Sequence, residues 1–348
     1  MKQHSFTTFL AAVTLLLLIA SCGNGEKPHY EFPDPDAEQP QPQPEPTGYP
    51  DGLTVTPFED DLGNGSVCKG YVAVADLHAN PKLRFNAVYV SPAKEPSAIH
   101  AEFASEGKGM PFITVNGGYF SGGASQSLLI TSNVLKAINI LSLTRKDASD
   151  NNVTVYPVRS AFGQMASGAF EAQWIYCMTS DGSKPYGFLS PLDNDERTKT
   201  FMASPPTVAT VGAALWSPRE AVGGGPSLVR GGINVAVESY WKEVFDGGGI
   251  AGTSRQPRTA IGATSDDKIV LIVCDGRNMN GSSGFTLDEL ASKLISKGVV
   301  DAINLDGGGS STIVGCEGSV LNRPSDTGSG VTIVERKVPT AVVISCVP

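Results

Sequence analysis

The sequence predicts an α+β protein: a mixed β-sheet core with few helices and a smaller β-rich N-terminal part. Three observations predict it. Of 348 residues, 41% are hydrophobic and 18% charged, which supplies a packed core and is too apolar for a disordered chain. Gly (39) and Pro (24) are abundant, so turns are frequent and long helices few. From about Gly52 onward, short apolar runs are bounded by Gly, Pro, Asn and Asp, the texture of strands joined by tight turns.

The chain opens with Lys2 and an apolar run from Phe9 to Ala20. That run suits a signal-peptide core and falls short of the roughly 20 residues that span a bilayer. It ends in Leu18, Ile19, Ala20, Ser21 and Cys22, which resembles a bacterial lipoprotein box. Residues 1–21 are therefore expected to be a signal peptide and Cys22 the lipidated first residue of the mature protein. Residues 22–51 are rich in Pro, Gln and Glu and read as an extended tether. The expected location is the bacterial cell envelope, with the membrane as a partner through the lipid on Cys22.

Without residues 1–21 the chain carries 25 basic and 35 acidic residues, a net of −10, so charge would not hold it to anionic lipid. No Lys/Arg cluster offsets this balance, which argues against a nucleic-acid partner. Five cysteines remain, Cys68, Cys177, Cys274, Cys316 and Cys346. None sits in a C-x-x-C pair, so neither a zinc knuckle nor a redox motif is readable; buried free thiols are expected, with a single bridge between two of the five as the alternative.

Strands are expected at 69–75, 83–90, 112–115, 153–158, 170–178, 258–263, 269–274, 300–305, 311–314 and 340–345. The clearest helix starts at Thr286, which forms a T-x-x-E capping box with Glu289, and stops before Gly298. Its apolar residues Leu287, Leu290, Ala291, Leu294 and Ile295 form one stripe that should face a sheet. A weaker helix is expected near 97–105. Residues 80–110 resemble a connection and 179–207 a variable insertion. The domain division that follows is 52–110 as the smaller N-terminal part and 111–348 as the main domain.

The four histidines, His4, His29, His78 and His100, lie away from every Gly-rich turn. A Ser-His-Asp or Cys-His nucleophile system and a multi-His metal site are thereby disfavoured. Chemistry falls to carboxylates and arginines at strand ends. The strongest instance is Asn304, Leu305, Asp306, Gly307, Gly308, Gly309, Ser310, Ser311. Period-2 alternation places Asn304 and Asp306 on one side, and the glycines allow a tight turn with close backbone approach to a ligand. Such a turn offers N–H groups and hydroxyls to an anionic or polyhydroxyl ligand. A plain D-G hairpin would need fewer glycines.

Three further segments share this texture: Asp275-Gly276-Arg277, Asn116-Gly117-Gly118-Tyr119-Phe120, and the strand start Arg258-Thr259. The segment Ala221 to Arg230, with Gly223-Gly224-Gly225, superficially suggests a phosphate loop. It lacks the G-K-S/T ending, which argues against nucleotide binding.

In order, the segments VNGGYF, AVGGGPSLVRGG, PRTAIGATSDDKIVLIVCDGR, GFTLDELASKLISKGVVDAINLDGGGSSTIV, NRPSD and ERKVPTAVVIS resemble the phosphodiester glycosidase family. The resemblance runs from about Phe112 to Ser345. In the family the last two segments lie closer together than here, where residues 327–334 separate them, and Lys337 stands where Pro is usual. No role follows for Arg323, Glu335 or Arg336.

The resemblance implies hydrolysis of a sugar-1-phosphodiester, of the GlcNAc-α-1-phosphate type, leaving a phosphomonoester on the aglycone. It makes Asp306 and Asp275 the catalytic carboxylates, one as nucleophile or base and the other as acid. Arg258 and Arg277 are expected to clamp the phosphate. Asn116, Gly117, Thr259, Asn304, Gly307, Gly308, Ser310 and Ser311 are expected to bind substrate. The partner so implied is a phosphoglycan or other sugar phosphodiester. No cofactor is expected; a divalent cation on Asp275, Asp306 and Asn304 is the alternative. The competing functional readings are a non-catalytic surface carbohydrate-binding lipoprotein and an envelope structural protein whose Gly-rich turns only pack.

Overall fold

The computed structural model describes residues 48–325 and 333–348. Cys22, the expected signal peptide and all but the end of the expected tether lie outside the described residues. So does Asp326 of the NRPSD segment.

Three sheets build the core. The first is seven-stranded, in the order Leu53–Asp61, Val67–Ala75, Ile269–Cys274, Arg258–Thr264, Val299–Asn304, Ser227–Arg230 and Ile233–Asn234. The second, also seven-stranded, runs Ala214–Leu215, Lys184–Phe188, Phe170–Met178, Arg159–Gln164, Glu220–Gly223, Leu129–Thr131 and Val134–Ala137. The third has four strands: Ile313–Val314, Met110–Asn116, Val338–Cys346 and Leu83–Lys94.

Alternation along the first sheet explains its position in the middle of the molecule. Ile269, Leu271 and Val273 join a core shared with Phe85, Ile113, Val115, Phe162, Val342 and Ile344 of the other two sheets. Val270, Ile272 and Cys274 point the other way, into a second core under the helices. Both faces are covered, which is why Ile269–Cys274 is a continuous apolar run instead of an alternating one.

The protein is mostly β. Three α-helices are present among the described residues, α1 (Pro96–Ser105), α2 (Ala236–Lys242) and α3 (Leu287–Ser296). The expected α+β class is thus right in its sheets and few helices and overstates the helical share. The expected mixed sheet is corrected, since the strand ladders of the three core sheets are all antiparallel. Short Gly-rich turns favour hairpins, whereas a parallel neighbour needs a long crossover. α3 makes the one long excursion within the first sheet's central strands. It carries the chain from Ile269–Cys274 over Arg258–Thr264 to Val299–Asn304, so the two strands it joins are not neighbours.

α3 is capped as the sequence predicts. Glu289 N–H donates to Thr286 Oγ1 at 3.1 Å, and Thr286 N–H donates to Glu289 Oε2 at 2.9 Å. Leu287, Leu290, Ala291 and Leu294 are buried on the sheet. Thr286→Ala is expected to cost about 1 kcal/mol; a urea midpoint unchanged by this substitution would contradict the box.

The segment expected as a smaller N-terminal part, 52–110, is built into these sheets. Its first two strands extend the first sheet, and Leu83–Lys94 pairs with the C-terminal strand Val338–Cys346. The supposed connection 80–110 therefore holds a twelve-residue strand and α1. The supposed insertion 179–207 contributes the strand Lys184–Phe188. All described residues belong to one compact unit. Cys68, Cys177 and Cys274 are buried thiols, and all five described cysteines are unbridged.

Candidate active site

The Val299–Asn304 strand ends on the helix-bearing face of the first sheet. Ile303 and Leu305 enter the inter-sheet core, so Asn304 and Asp306 face the opposite way by alternation. Both line a cleft of about 610 Å³. Gly307 and a short helical turn, Gly308–Ser310, follow. Gly308 has φ +61°, and a Cβ there would stand 3.0 Å from Arg277 Nη2. The glycine thus serves both the left-handed turn and the close approach of an arginine.

Asp306 is the only carboxylate lining the cleft among the described residues. Burial pushes its pKa up to about 6, against the lowering effects of the Ser310 hydroxyl, the Arg336 guanidinium and the Gly307 N–H. It is therefore ionised at neutral pH and close to its titration point. Five arginines line the same cleft: Arg145, Arg159, Arg258, Arg277 and Arg336. Such a surplus suits an anionic ligand.

Asn304 is held in one orientation. Its Nδ2 donates to the Gly225 and Leu305 carbonyls at 3.1 and 2.6 Å and to the Tyr119 hydroxyl at 2.7 Å. Tyr119 in turn donates to the Gly225 carbonyl at 2.6 Å. Two carbonyls around Nδ2 fix the amide, because carbonyls only accept. Among the described residues, Asn304 Oδ1 is left buried without a donor. An O–H or N–H of a ligand would satisfy it.

The Gly223–Gly225 segment, which superficially resembled a phosphate loop, is a crossing between sheets. It leaves the strand Glu220–Gly223 of the second sheet and enters Ser227–Arg230 of the first. Gly224 N–H donates to Ser160 O and Gly225 N–H to Asn304 O. A Cβ on Gly224 would lie 2.3 Å from Asn304 O, so only glycine permits this approach.

The other expected site residues divide. Arg258, Arg277, Asn304, Asp306, Gly307 and Gly308 line the cleft; Asp275, Asn116, Gly117, Thr259, Ser310 and Ser311 do not. Asp275 follows Val273 on the inter-sheet face and points away from Cys274. Its Oδ1 accepts from Asn322 Nδ2 at 3.1 Å and from Arg323 N–H at 2.7 Å. Burial raises it to about 6. The expected second catalytic carboxylate is therefore corrected to a latch on the Asn322–Arg323 segment. The oxygen trio for a divalent cation does not assemble, because Asp275 is not in the cleft with Asp306 and Asn304. No group of three or more metal-ligating side chains occurs among the described residues.

Asn116 and Thr259 form a brace behind the site. Asn116 Oδ1 accepts from Thr259 Oγ1 at 2.8 Å and from Thr312 N–H at 3.2 Å. Its Nδ2 donates to Asp306 O at 2.7 Å and Gly117 O at 3.2 Å. Thr259 takes this direction because its neighbours Arg258 and Ala260 occupy the other face. Gly117 O accepts from Asp306 N–H. Ser310 and Ser311 are fully buried, and Arg336 Nη1 donates to Ser310 Oγ at 3.4 Å. These residues position the Asp306 turn and are not among those that line the cleft. Asn116→Ala is expected to lower kcat on the order of 10²-fold by misplacing the turn, with a smaller effect on KM. A kcat equal to wild type would remove the brace from the account.

Arg258 also departs from its expected role. Its guanidinium is nearly all spent on its own neighbourhood, donating to the carbonyls of Phe285, Ile250, Ala251 and Ser254 at 2.9 to 3.1 Å. It fixes the loop that forms one wall of the cleft. Arg277 sits at the mouth, its Nε donating to Gln256 Oε1 at 3.0 Å, and remains a candidate phosphate contact.

Sequence reasoning missed Arg159, Arg145, Phe245 and Gln256, and gave Arg336 no role. Arg159 comes from the second sheet and Arg145 from the strand Leu143–Lys146, so no local motif joins them to Asp306. The glycines at 247–249, beside Phe245, were the one readable signal of a wall there.

A family profile for phosphodiester glycosidases matches residues 110–345. A 91-residue stretch is 41% identical to the SPbeta prophage-derived uncharacterized protein YomE of Bacillus subtilis (strain 168), covering 26% of this chain and 13% of that protein. A 69-residue stretch is 45% identical to the Homo sapiens N-acetylglucosamine-1-phosphodiester alpha-N-acetylglucosaminidase, covering 20% of this chain and 13% of that protein. The aligned stretches thus span only a small part of these relatives.

Among solved structures, the catalytic domain of the zebrafish N-acetylglucosamine-1-phosphodiester alpha-N-acetylglucosaminidase, auto-inhibited by its pro-peptide, is similar over 86% of this chain and 85% of that one. The TM-score is 0.56 at 19% identity. A hypothetical protein from Synechocystis is similar over 85% of this chain and 62% of that one, with a TM-score of 0.51 at 16% identity. These likenesses carry the fold. The profile covers more than half the chain and takes in the Asp306 turn, its Asn116 brace and the Arg258 strand, so the chain belongs to the phosphodiester glycosidase family.

Proposed function

We propose that the protein hydrolyses a sugar-1-phosphodiester at the sugar C1–O bond, with GlcNAc-α-1-phosphate diesters as the first class to assay. The observation that carries this reading is one carboxylate, Asp306, among the described residues of a cleft that five arginines also line. Glycosidic cleavage develops positive charge at C1, which Asp306 meets as nucleophile or base. The bond's electron pair leaves with the phosphate oxygen, and water adds at C1.

A phosphomonoester has its second pKa near ~6, so the leaving group departs without a proton at neutral pH. A second carboxylate acting as acid is therefore unnecessary. Arg277, whose Nη2 lies against Gly308 of the Asp306 turn, would neutralise the charge that accumulates on the departing phosphate. The names of the relatives supply the sugar in this reading.

We further propose that the protein acts at the bacterial cell envelope, held there by lipid on Cys22. The assay follows free sugar and phosphomonoester released from a GlcNAc-α-1-phosphodiester by the full chain. Equal release of both products is expected. Saturable binding of the diester without turnover would favour the carbohydrate-binding reading instead.

A further inference from the structure

The arginines of the cleft fall into two groups. Arg258, Arg277 and Arg336 surround the Asp306 turn. Gly307 stands beside Arg258 Cδ, Gly308 beside Arg277 Nη2, and Arg336 donates to Ser310. Arg159 stacks on Phe245, whose ring packs 5.4 Å from that of Tyr119, and the Tyr119 hydroxyl accepts from Asn304 Nδ2.

Arg159, like Arg258, is buried, at 7% exposed, and its guanidinium stacks on Phe245 at 4.0 Å. Nε and Nη2 donate to the carbonyls of Glu243 and Val244 at 3.4 and 3.0 Å. Nη1, with two N–H groups, has no hydrogen-bond partner among the described residues.

The acidic groups nearby are engaged elsewhere. Glu243 gives both oxygens to the N–H groups of Ser160 and Ser227, the Ser160 hydroxyl and the Trp174 indole. Glu196 holds Arg145 Nε at 2.6 Å and the Asp246 N–H. A buried guanidinium without an ion-pair partner is costly unless something anionic completes it.

We propose that Arg159 is the centre of a second anion subsite, which takes a further phosphate or carboxylate carried by the substrate. This rests on the glycosidase reading and narrows it. The substrate is then a phosphoglycan with at least one negative charge besides the scissile diester, bound in the cleft that Tyr119 and Phe245 also line.

The test compares two GlcNAc-α-1-phosphodiesters, one with a neutral alkyl aglycone and one whose alkyl chain ends in a phosphate. Wild type is expected to prefer the second by about tenfold or more in kcat/KM, the scale of a charge-assisted hydrogen bond. Arg159→Lys, which keeps charge and loses the planar fork, is expected to bring the ratio near one. A wild-type ratio near one overturns the proposal and needs no variant. So does an Arg159→Lys ratio equal to wild type, which would assign Arg159 to the scissile phosphate or to structure alone. If neither compound is turned over, the glycosidase reading fails, and the subsite is read by equilibrium titration of the same two compounds. A tenfold difference in Kd then supports it, and equal affinities overturn it.

Discussion

Asp306→Asn is expected to reduce sugar release by about 10²- to 10⁴-fold while leaving the fold intact, because it removes the carboxylate proposed to meet charge at C1. The side chain keeps its shape, and the neighbouring brace through Asn116 contacts only the backbone of Asp306. The wild-type pH profile should carry the same residue's signature. With a pKa of about 6, kcat/KM is expected to fall about tenfold per unit as pH drops below 6. A profile flat from pH 7 to 4.5, or a variant of wild-type activity, would remove Asp306 from the chemistry.

The same shift fixes the sign of a stability effect. The folded carboxyl titrates near 6 and the unfolded one near 3.8, so between these values the folded state binds the extra proton. Stability is therefore lost as pH rises from 3.8 to 6, and the full cost of the buried charge is present above 6. Asp306→Asn should be more stable than wild type at pH 7.5, on the order of 3 kcal/mol. The gain should vanish below about pH 4. Greater stability with lost turnover is the behaviour of a group kept for chemistry.

Glu243→Ala is expected to be the most destabilising single change behind the cleft. The Glu243 carboxylate is fully buried, and burial raises its pKa. It is nevertheless anchored by the Ser160 and Ser227 N–H groups at 2.9 and 2.7 Å and by Trp174 Nε1 at 2.8 Å. Replacing a buried ion with an apolar residue can be neutral when its partners go with it. Here the partners are backbone amides and an indole that stay behind, and each stranded donor costs ~1–3 kcal/mol. We expect a loss of about 4 kcal/mol in chemical denaturation, with Glu243→Gln intermediate. A loss under ~1 kcal/mol would mean that water replaces the carboxylate.

How far the sequence reached depends on whether a role is local. The Asn304–Ser311 turn was legible because alternation and three glycines are local facts, and the α3 cap was legible for the same reason. Asp275 looked equivalent to Asp306, since both follow an apolar strand and precede Gly. The difference is parity: Asp275 follows Val273 to the inter-sheet face, while Asp306 follows Asn304 to the open one. Arg258 looked like a clamp because a sequence does not state which donors its own loop will consume. Arg159 was invisible for the opposite reason. Its place in the cleft comes from two sheets meeting through the Gly223–Gly225 crossing, and no spacing records that. The sheet hand-over also hid the integration of residues 53–94, whose partners lie at 269–274 and 338–346.

The central claim is cleavage at the sugar carbon, with Asp306 as the carboxylate that meets it and a phosphate that leaves unprotonated. It is tested most directly by hydrolysing a GlcNAc-α-1-phosphodiester in ¹⁸O-labelled water and locating the label by mass spectrometry. The account predicts label in the released sugar and none in the phosphomonoester. Label in the phosphate would mean attack at phosphorus, a phosphodiesterase, and would contradict it.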